Sequence, residues 1–194
     1  MRNIASQPYL PHYALSFQQF LRRIVMKRLN MIAAVGAQDR VIGRDNQLPW
    51  SQYLVPDLQR FKRLTMGCVL LVGRNTWFSF PPKMRPLPGR ITFIVSTTLT
   101  PADVPEGVLI CPTLDDAIVL ATSLYPKLEG FIIGGQRMYE EGMAYADRLE
   151  ITEVGEKPPG NVFFPDYSAF SKVIEETVET YEGIELKYRT LERP

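Results

Sequence analysis

Hydrophobic residues fall along this chain in two ways, as short, mostly apolar blocks up to Ile133 and as alternation with polar residues after Arg148. Leu29 to Gly36, Cys68 to Val72, Ile91 to Val95 and Gly130 to Ile133 are apolar over strand length, the pattern of strands covered on both faces. Val41-Ile42 is a shorter apolar step between Gly36 and Gly43. Arg148 to Val154, Lys172 to Thr180 and Ile184 to Leu191 alternate, and Glu182-Gly183 is a turn signal between the last two. That predicts antiparallel strands with one wet face. Helical spacing starts at Pro56, a residue suited to a first helical position, and places Asp57, Phe61 and Leu64 on one face. A short helix over Trp77 to Phe80 is predicted, with two more over Leu114 to Leu124 and Gln136 to about Ala144; Thr113 is the N-cap of the first of these.

These elements sum to an α/β fold: a mixed, mostly parallel sheet of about eight strands, ending in an antiparallel hairpin, with roughly four flanking helices. The 194 residues, 45% of them hydrophobic and 22% charged, are enough for one well-buried globular domain. Lys and Arg number 22 against 21 Asp and Glu, which leaves no basic field to attract nucleic acid. The two cysteines, Cys68 and Cys111, have no metal or redox spacing and read as buried free thiols in a reducing compartment. The one histidine, His12, lies outside the patterned region, which argues against a histidine triad or a histidine-rich metal centre.

Residues 1 to 28 stand apart as an amino-terminal extension to a domain spanning 29 to 194. They hold Arg2, Arg22, Arg23, Lys27 and Arg28 with no acid before Asp39, and FQQFLRRIV has the spacing of a short basic amphipathic helix. We read the segment as an appendage, or as sequence upstream of a start at Met26 or Met31, rather than as an organellar presequence. No apolar run approaches the ~20 residues of a membrane span.

Candidate chemistry gathers at a few points. Asp57 is a carboxylate on an apolar helix face, costly to ionise unless a donor or cation meets it. Gly73-Arg74-Asn75-Thr76 and Gly134-Gly135 each join a buried strand to a helix, an arrangement whose free N–H groups favour an anion. Any α/β protein has such junctions, and the dinucleotide fingerprint G-x-G-x-x-G is absent. Ser96-Thr97 places hydroxyls at a third strand end, and the proline-rich excursion from Pro81 to Arg90 fixes Arg85 and Arg90 near its close. No nucleophile is paired with a base. The inventory suits a reaction in which a cofactor carries the chemistry and the protein orients it, with hydride transfer as the best fit.

Taken together, IAAVGAQDRVIGRDNQLPW, VPDLQRFKRLT, VLLVGRNTW, RPLPGR, FIVST, FIIGGQRMY and LEITEV before NVFFPDY, in that order, resemble dihydrofolate reductase from about Leu29 to Leu191. The resemblance implies the single-domain dihydrofolate-reductase-like fold. It also implies reduction of dihydrofolate to tetrahydrofolate with NADPH as cofactor, by a cytoplasmic monomer with no nucleic-acid or membrane partner and no metal. It gives catalytic roles to Asp57, Thr152 and the loop residues Leu48 and Trp50, with Asp57 gripping the pterin and Thr152 supporting it. Ile32, Leu58, Phe61, Leu87 and Ile133 match the substrate's apolar walls, and Arg90, with Arg85 secondary, matches the grip on its glutamate carboxylate. Ala34, Ile42 and Gly43 resemble nicotinamide-side contacts, Val41 counts with them as cofactor-binding, and Asn46 lies with Leu48 and Trp50 on the mobile loop. Gly73, Arg74, Asn75 and Thr76 resemble the phosphate site, with Ser96 and Thr97 beside the 2′-phosphate. Gly134, Gly135, Gln136, Arg137, Met138 and Tyr139 match the second phosphate segment.

This sequence departs from the family pattern at Gln136, where many relatives carry a third glycine, and at Asn161, where an acid is common. The segment between Trp50 and Asp57 is also longer by about two residues than in common bacterial forms. Two rival readings remain. One is a reductase of the same fold acting on a pyrimidine or pterin outside folate metabolism, which leaves the arginine of RPLPGR unexplained. The other is a binding module without turnover, which leaves Asp57 and Trp50 unexplained.

Overall fold

A computed structural model describes residues 26 to 50 and 54 to 194. Its centre is β1 (Arg28–Gly36), an apolar strand buried along most of its length. Around it lies an eight-stranded sheet. On one side come β6 (Glu129–Ile132), β3 (Val69–Gly73), β4 (Ile91–Val95) and β5 (Leu109–Cys111), all parallel. On the other side are β7 (Arg148–Val154), parallel to β1, then the antiparallel β10 (Ile184–Glu192) and β9 (Lys172–Tyr181). A separate two-stranded ribbon pairs β2 (Val41–Gly43) with β8 (Val162–Phe163).

Four α-helices are described: α1 (Val55–Thr65), α2 (Arg74–Ser79), α3 (Leu114–Leu124) and α4 (Gln136–Gly142). The period-2 geometry of the parallel strands sorts their side chains to two faces. Val69, Leu71, Phe93 and Ile132 join Leu114 and Ala117 of α3 and Met138 of α4 in one core. Leu70, Val72, Ile94 and Phe131 join Trp77 of α2 in the other, with Phe61 and Leu64 of α1 packed on it. The Thr113 hydroxyl accepts from the Asp116 N–H at 3.1 Å, so the N-cap stands as the pattern predicted.

Several expectations need correction. The eighth strand of the main sheet is Leu109–Cys111, whereas Val41-Ile42 belongs to the ribbon. Helix α4 ends at Gly142 rather than near Ala144. The single wet face fails in both directions. Strand β9 is exposed on both faces except at Tyr181, because it is the sheet edge and, among the described residues, no helix covers it. On β7 the polar Glu150 and Thr152 are buried, because their face meets helix α1. Cys68 is only half-buried, and both cysteines are free thiols.

Met26 is already packed in the core, and the Lys27 N–H bonds to the Leu128 carbonyl at 3.2 Å. His12 and FQQFLRRIV lie outside the described residues. Among the described residues no helix is long and apolar enough to cross a membrane, and no three His, Cys, Asp or Glu side chains converge as metal ligands.

Candidate active site

Helix α1 begins without a side-chain cap. Pro56 sits in its first turn, and Asp57 is the one acid there. Asp57 is half-buried, and its desolvation raises the carboxyl pKa; the Thr152 hydroxyl and then the Arg60 charge pull it back down. Thr152 is buried, and its Oγ1 makes no hydrogen bond of strict geometry, so its effect on Asp57 comes from proximity. The strands beside Thr152 place Ala34 of β1 and Tyr188 of β10 in register with it. Ala34, Tyr188 and Trp50 all pack against the buried cluster of Leu54, Val154, Ile184 and Leu186, and among the described residues the buried Trp50 Nε1 has no hydrogen-bond partner. Asp57 therefore stands on a helix packed against an apolar wall, with the buried Thr152 hydroxyl beside it.

At the carboxyl ends of the parallel strands, the two glycine junctions touch. The Gly73 N–H donates to the Gly134 carbonyl at 2.7 Å. A Cβ at Gly134 would lie 3.2 Å from Thr76 Oγ1 and 3.3 Å from Tyr139 Oη, and one at Gly135 would lie 3.2 Å from the same hydroxyl. The Gly134–Gly135 peptide is cis, and Gly134 has φ +120°. Bare backbone and the starts of α2 and α4 thus converge on one spot, which suits an anionic group lying close to the main chain.

Next in line, Ser96 closes β4. Its Oγ accepts from the N–H groups of Thr98 and Leu99, both at 3.2 Å. Beyond it opens a groove of about 520 Å³ lined by Thr97, Leu99, Val108 and Ile110 among others. That groove lies at the far side of the sheet from Asp57. From β4 through β3, β6 and β1 to β7 there are four strand spacings, roughly 19 Å at about 4.8 Å each. An elongated ligand spanning them would pass the groove, the hydroxyls and the glycine junctions before reaching Asp57.

A family model described as dihydrofolate reductase matches residues 28–193. The chain belongs to the dihydrofolate reductase family. Similar proteins include the dihydrofolate reductase of Drosophila melanogaster, 34% identical over 183 residues that cover 87% of this chain and 99% of that one. The type 3 dihydrofolate reductase of Salmonella typhimurium is 40% identical over 139 residues, covering 72% of this chain and 79% of its own. The dihydrofolate reductase of Mycobacterium leprae is 37% identical, covering 65% of this chain and 73% of its own.

The site residues implied by the family resemblance are not all equally close to the cleft. Ile32, Leu87 and Ile133 sit in one buried cluster with Phe61 packed on it. Leu58 is 40% exposed and Leu48 56%, both outside that wall. Arg90 donates to Thr65 Oγ1 at 3.2 Å and to the Pro88 carbonyl at 2.7 Å, fixed beside the Phe61 ring. Val41, Ile42 and Gly43 form β2, and Asp45 and Asn46, both with positive φ, close a tight turn whose ends, Arg44 and Gln47, exchange backbone hydrogen bonds at 2.9 and 3.0 Å. Asn75 is exposed beside Arg74. Arg137 turns outward and pairs with Glu141, and Gln136 donates to Glu140. Met138 and Tyr139 are buried beneath the junction, with the Tyr139 hydroxyl bonded to the Ile32 carbonyl at 2.8 Å.

Sequence reasoning missed three features. Arg60 and Glu150 form a buried ion pair next to Asp57. Leu109 and Ile110 line the groove. Phe78 meets both Arg74 and Arg85, whose guanidiniums stand 5.2 and 5.3 Å from its ring centroid. The i, i+4 spacing of Arg74 and Phe78 was the one available signal.

Proposed function

We propose that the chain reduces 7,8-dihydrofolate to 5,6,7,8-tetrahydrofolate with NADPH, feeding one-carbon and thymidylate metabolism. The observation that carries the reading is Asp57 at one end of a line of strand termini whose middle is two touching glycine junctions. A flat heterocycle with an amino group and a ring N–H matches a single carboxylate at an apolar wall by a forked hydrogen bond. NADPH, when bound, supplies the hydride. The protein's own part is orientation: Asp57 grips the pterin and favours its protonated form, while Thr152 steadies Asp57. Ile32, Phe61 and Ile133 exclude water from the ring's faces, and Trp50 covers the entrance. Because Asp57 grips the edge of the ring remote from the reacting nitrogen, water delivers the proton there. Arg90, held at two points, pairs with the glutamate tail.

Gly73 and Gly134-Gly135 hold the pyrophosphate by their bare main chain, and the apolar groove beyond Ser96 takes the adenine ring. Arg74 answers the 2′-phosphate that distinguishes NADPH from NADH, its guanidinium braced on Phe78. The domain spans residues 29 to 194 and acts as a cytoplasmic monomer; residues 1 to 28 are an extension that joins the fold from Met26.

Protein mixed with NADPH and dihydrofolate tests this. Loss of NADPH absorbance with tetrahydrofolate formed in equal amount is the expected result. Binding of both ligands without turnover overturns it in favour of a binding module.

A further inference from the structure

Beside Asp57 and Thr152 lies a second, parallel contact between the same two elements. Arg60 follows Asp57 by three residues on α1, and Glu150 precedes Thr152 by two on β7, so each pair shares a face. Arg60 Nη2 donates to Glu150 Oε2 at 2.5 Å, and the Thr190 hydroxyl donates to the same oxygen at 2.8 Å. Strand β10 extends both rungs, with Thr190 in register with Glu150 and Tyr188 with Thr152. The Arg60 guanidinium lies 5.4 Å from the centre of the Tyr188 ring.

Arg60 is 9% exposed and Glu150 5%, so both charges are withdrawn from water. A buried ion pair of this kind adds little to stability over an apolar pair of similar volume. Arg60 Nη1, buried and without a hydrogen-bond partner, shows that the pair is not closed on itself.

We propose that Arg60, clamped by Glu150, is a positioning residue that holds the Asp57 carboxylate in its charged form, with Glu150 limiting how strongly it does so. Among the described residues four groups act on Asp57 or feel its charge. Thr152 faces it from β7 and Arg60 from its own helix. Tyr139 of α4 and Tyr188 of β10 also feel its charge, and Tyr188 donates to Glu179 of β9. Both phenols are pushed upward, chiefly by burial, and stay neutral. Among the described residues Arg60 is thus the one cation acting on Asp57, and Glu150 is the anion bonded to that cation. Removing one member of the pair shifts Asp57 in the direction opposite to removing the other.

The inference rests on the dihydrofolate reading for its purpose and is tested without relying on it. The carboxyl carbon of Asp57 is followed by NMR across pH in ligand-free protein, its signal assigned by its loss in Asp57→Asn. Arg60→Met raises the titration midpoint by on the order of one unit; Glu150→Gln lowers it, and the double variant falls between them. Glu150→Gln is nearly isosteric and keeps an acceptor for Arg60, so the test stands even where Arg60→Met folds poorly.

The alkaline midpoint of kcat follows the same order, because a cation removed from beside the carboxylate lets the acid and bound pterin keep their shared proton to higher pH. A purely structural pair destabilises the fold in both single variants and leaves the midpoints together. Midpoints that coincide, or that both move one way, overturn the proposal. Divergent midpoints in a protein that forms no tetrahydrofolate uphold it and refute the dihydrofolate reading instead.

Discussion

Substituting Gly134 by alanine tests the glycine junction most sharply, because backbone and space oppose the change together. At φ +120° an L side chain is strained, at a cost on the order of 1–3 kcal/mol. The new methyl would lie 3.2 Å from Thr76 Oγ1 and 3.3 Å from Tyr139 Oη, closer than ordinary contact. Tyr139 cannot easily yield, because it is buried and its hydroxyl is bonded to the Ile32 carbonyl at 2.8 Å. For a domain of this size each kcal/mol moves Tm by about 2–4 °C, which places the loss at roughly 2–12 °C in ligand-free protein. Gly135 is the control. Its φ of −88° is open to alanine and its new methyl meets Thr76 alone, so Gly135→Ala loses much less stability. Thermal unfolding followed by circular dichroism reads the difference, and titration with NADPH shows weaker binding in both variants. A Gly134→Ala protein that melts with the wild type, or no earlier than Gly135→Ala, refutes the reasoning.

Two further outcomes follow from the surface charges. Arg74→Ala weakens NADPH by roughly tenfold while leaving NADH nearly unaffected, as loss of a charged hydrogen-bond donor to one phosphate requires; equal losses in a fluorescence titration remove Arg74 from that role. Glu192, bonded to Arg148 Nη2 at 2.6 Å, has its carboxyl held below the ordinary value of 4.5 by that bond. Its stabilisation is therefore complete above about pH 4.5 and fades as pH falls through the lowered native value. Urea unfolding at neutral and acid pH shows a smaller acid loss for Glu192→Gln than for wild type, and equal losses contradict the assignment.

The buried parallel strands are legible in the sequence because a strand covered on both faces needs a mostly apolar block, and β1, β3, β4 and β6 each lie on one, with Asn30 and Thr92 as buried polar exceptions. Leu109–Cys111 is not, since three residues carry no period and its strand is defined by pairing with β4. Alternation on β7 marks polar residues but cannot tell bulk water from a polar site, which is why Glu150 and Thr152 read as wet although both are buried. The position of Asp57 follows from helical spacing. The partner of Arg60 does not, for Glu150 lies 90 residues away and only the folded sheet brings it under the helix.

The central claim is that the Asp57 carboxylate orients the pterin, and steady-state turnover of Asp57→Asn at neutral pH tests it most directly. The account predicts a loss on the order of a hundredfold or more in the rate of tetrahydrofolate formation, with NADPH affinity nearly unchanged. Turnover at the wild-type rate would contradict it.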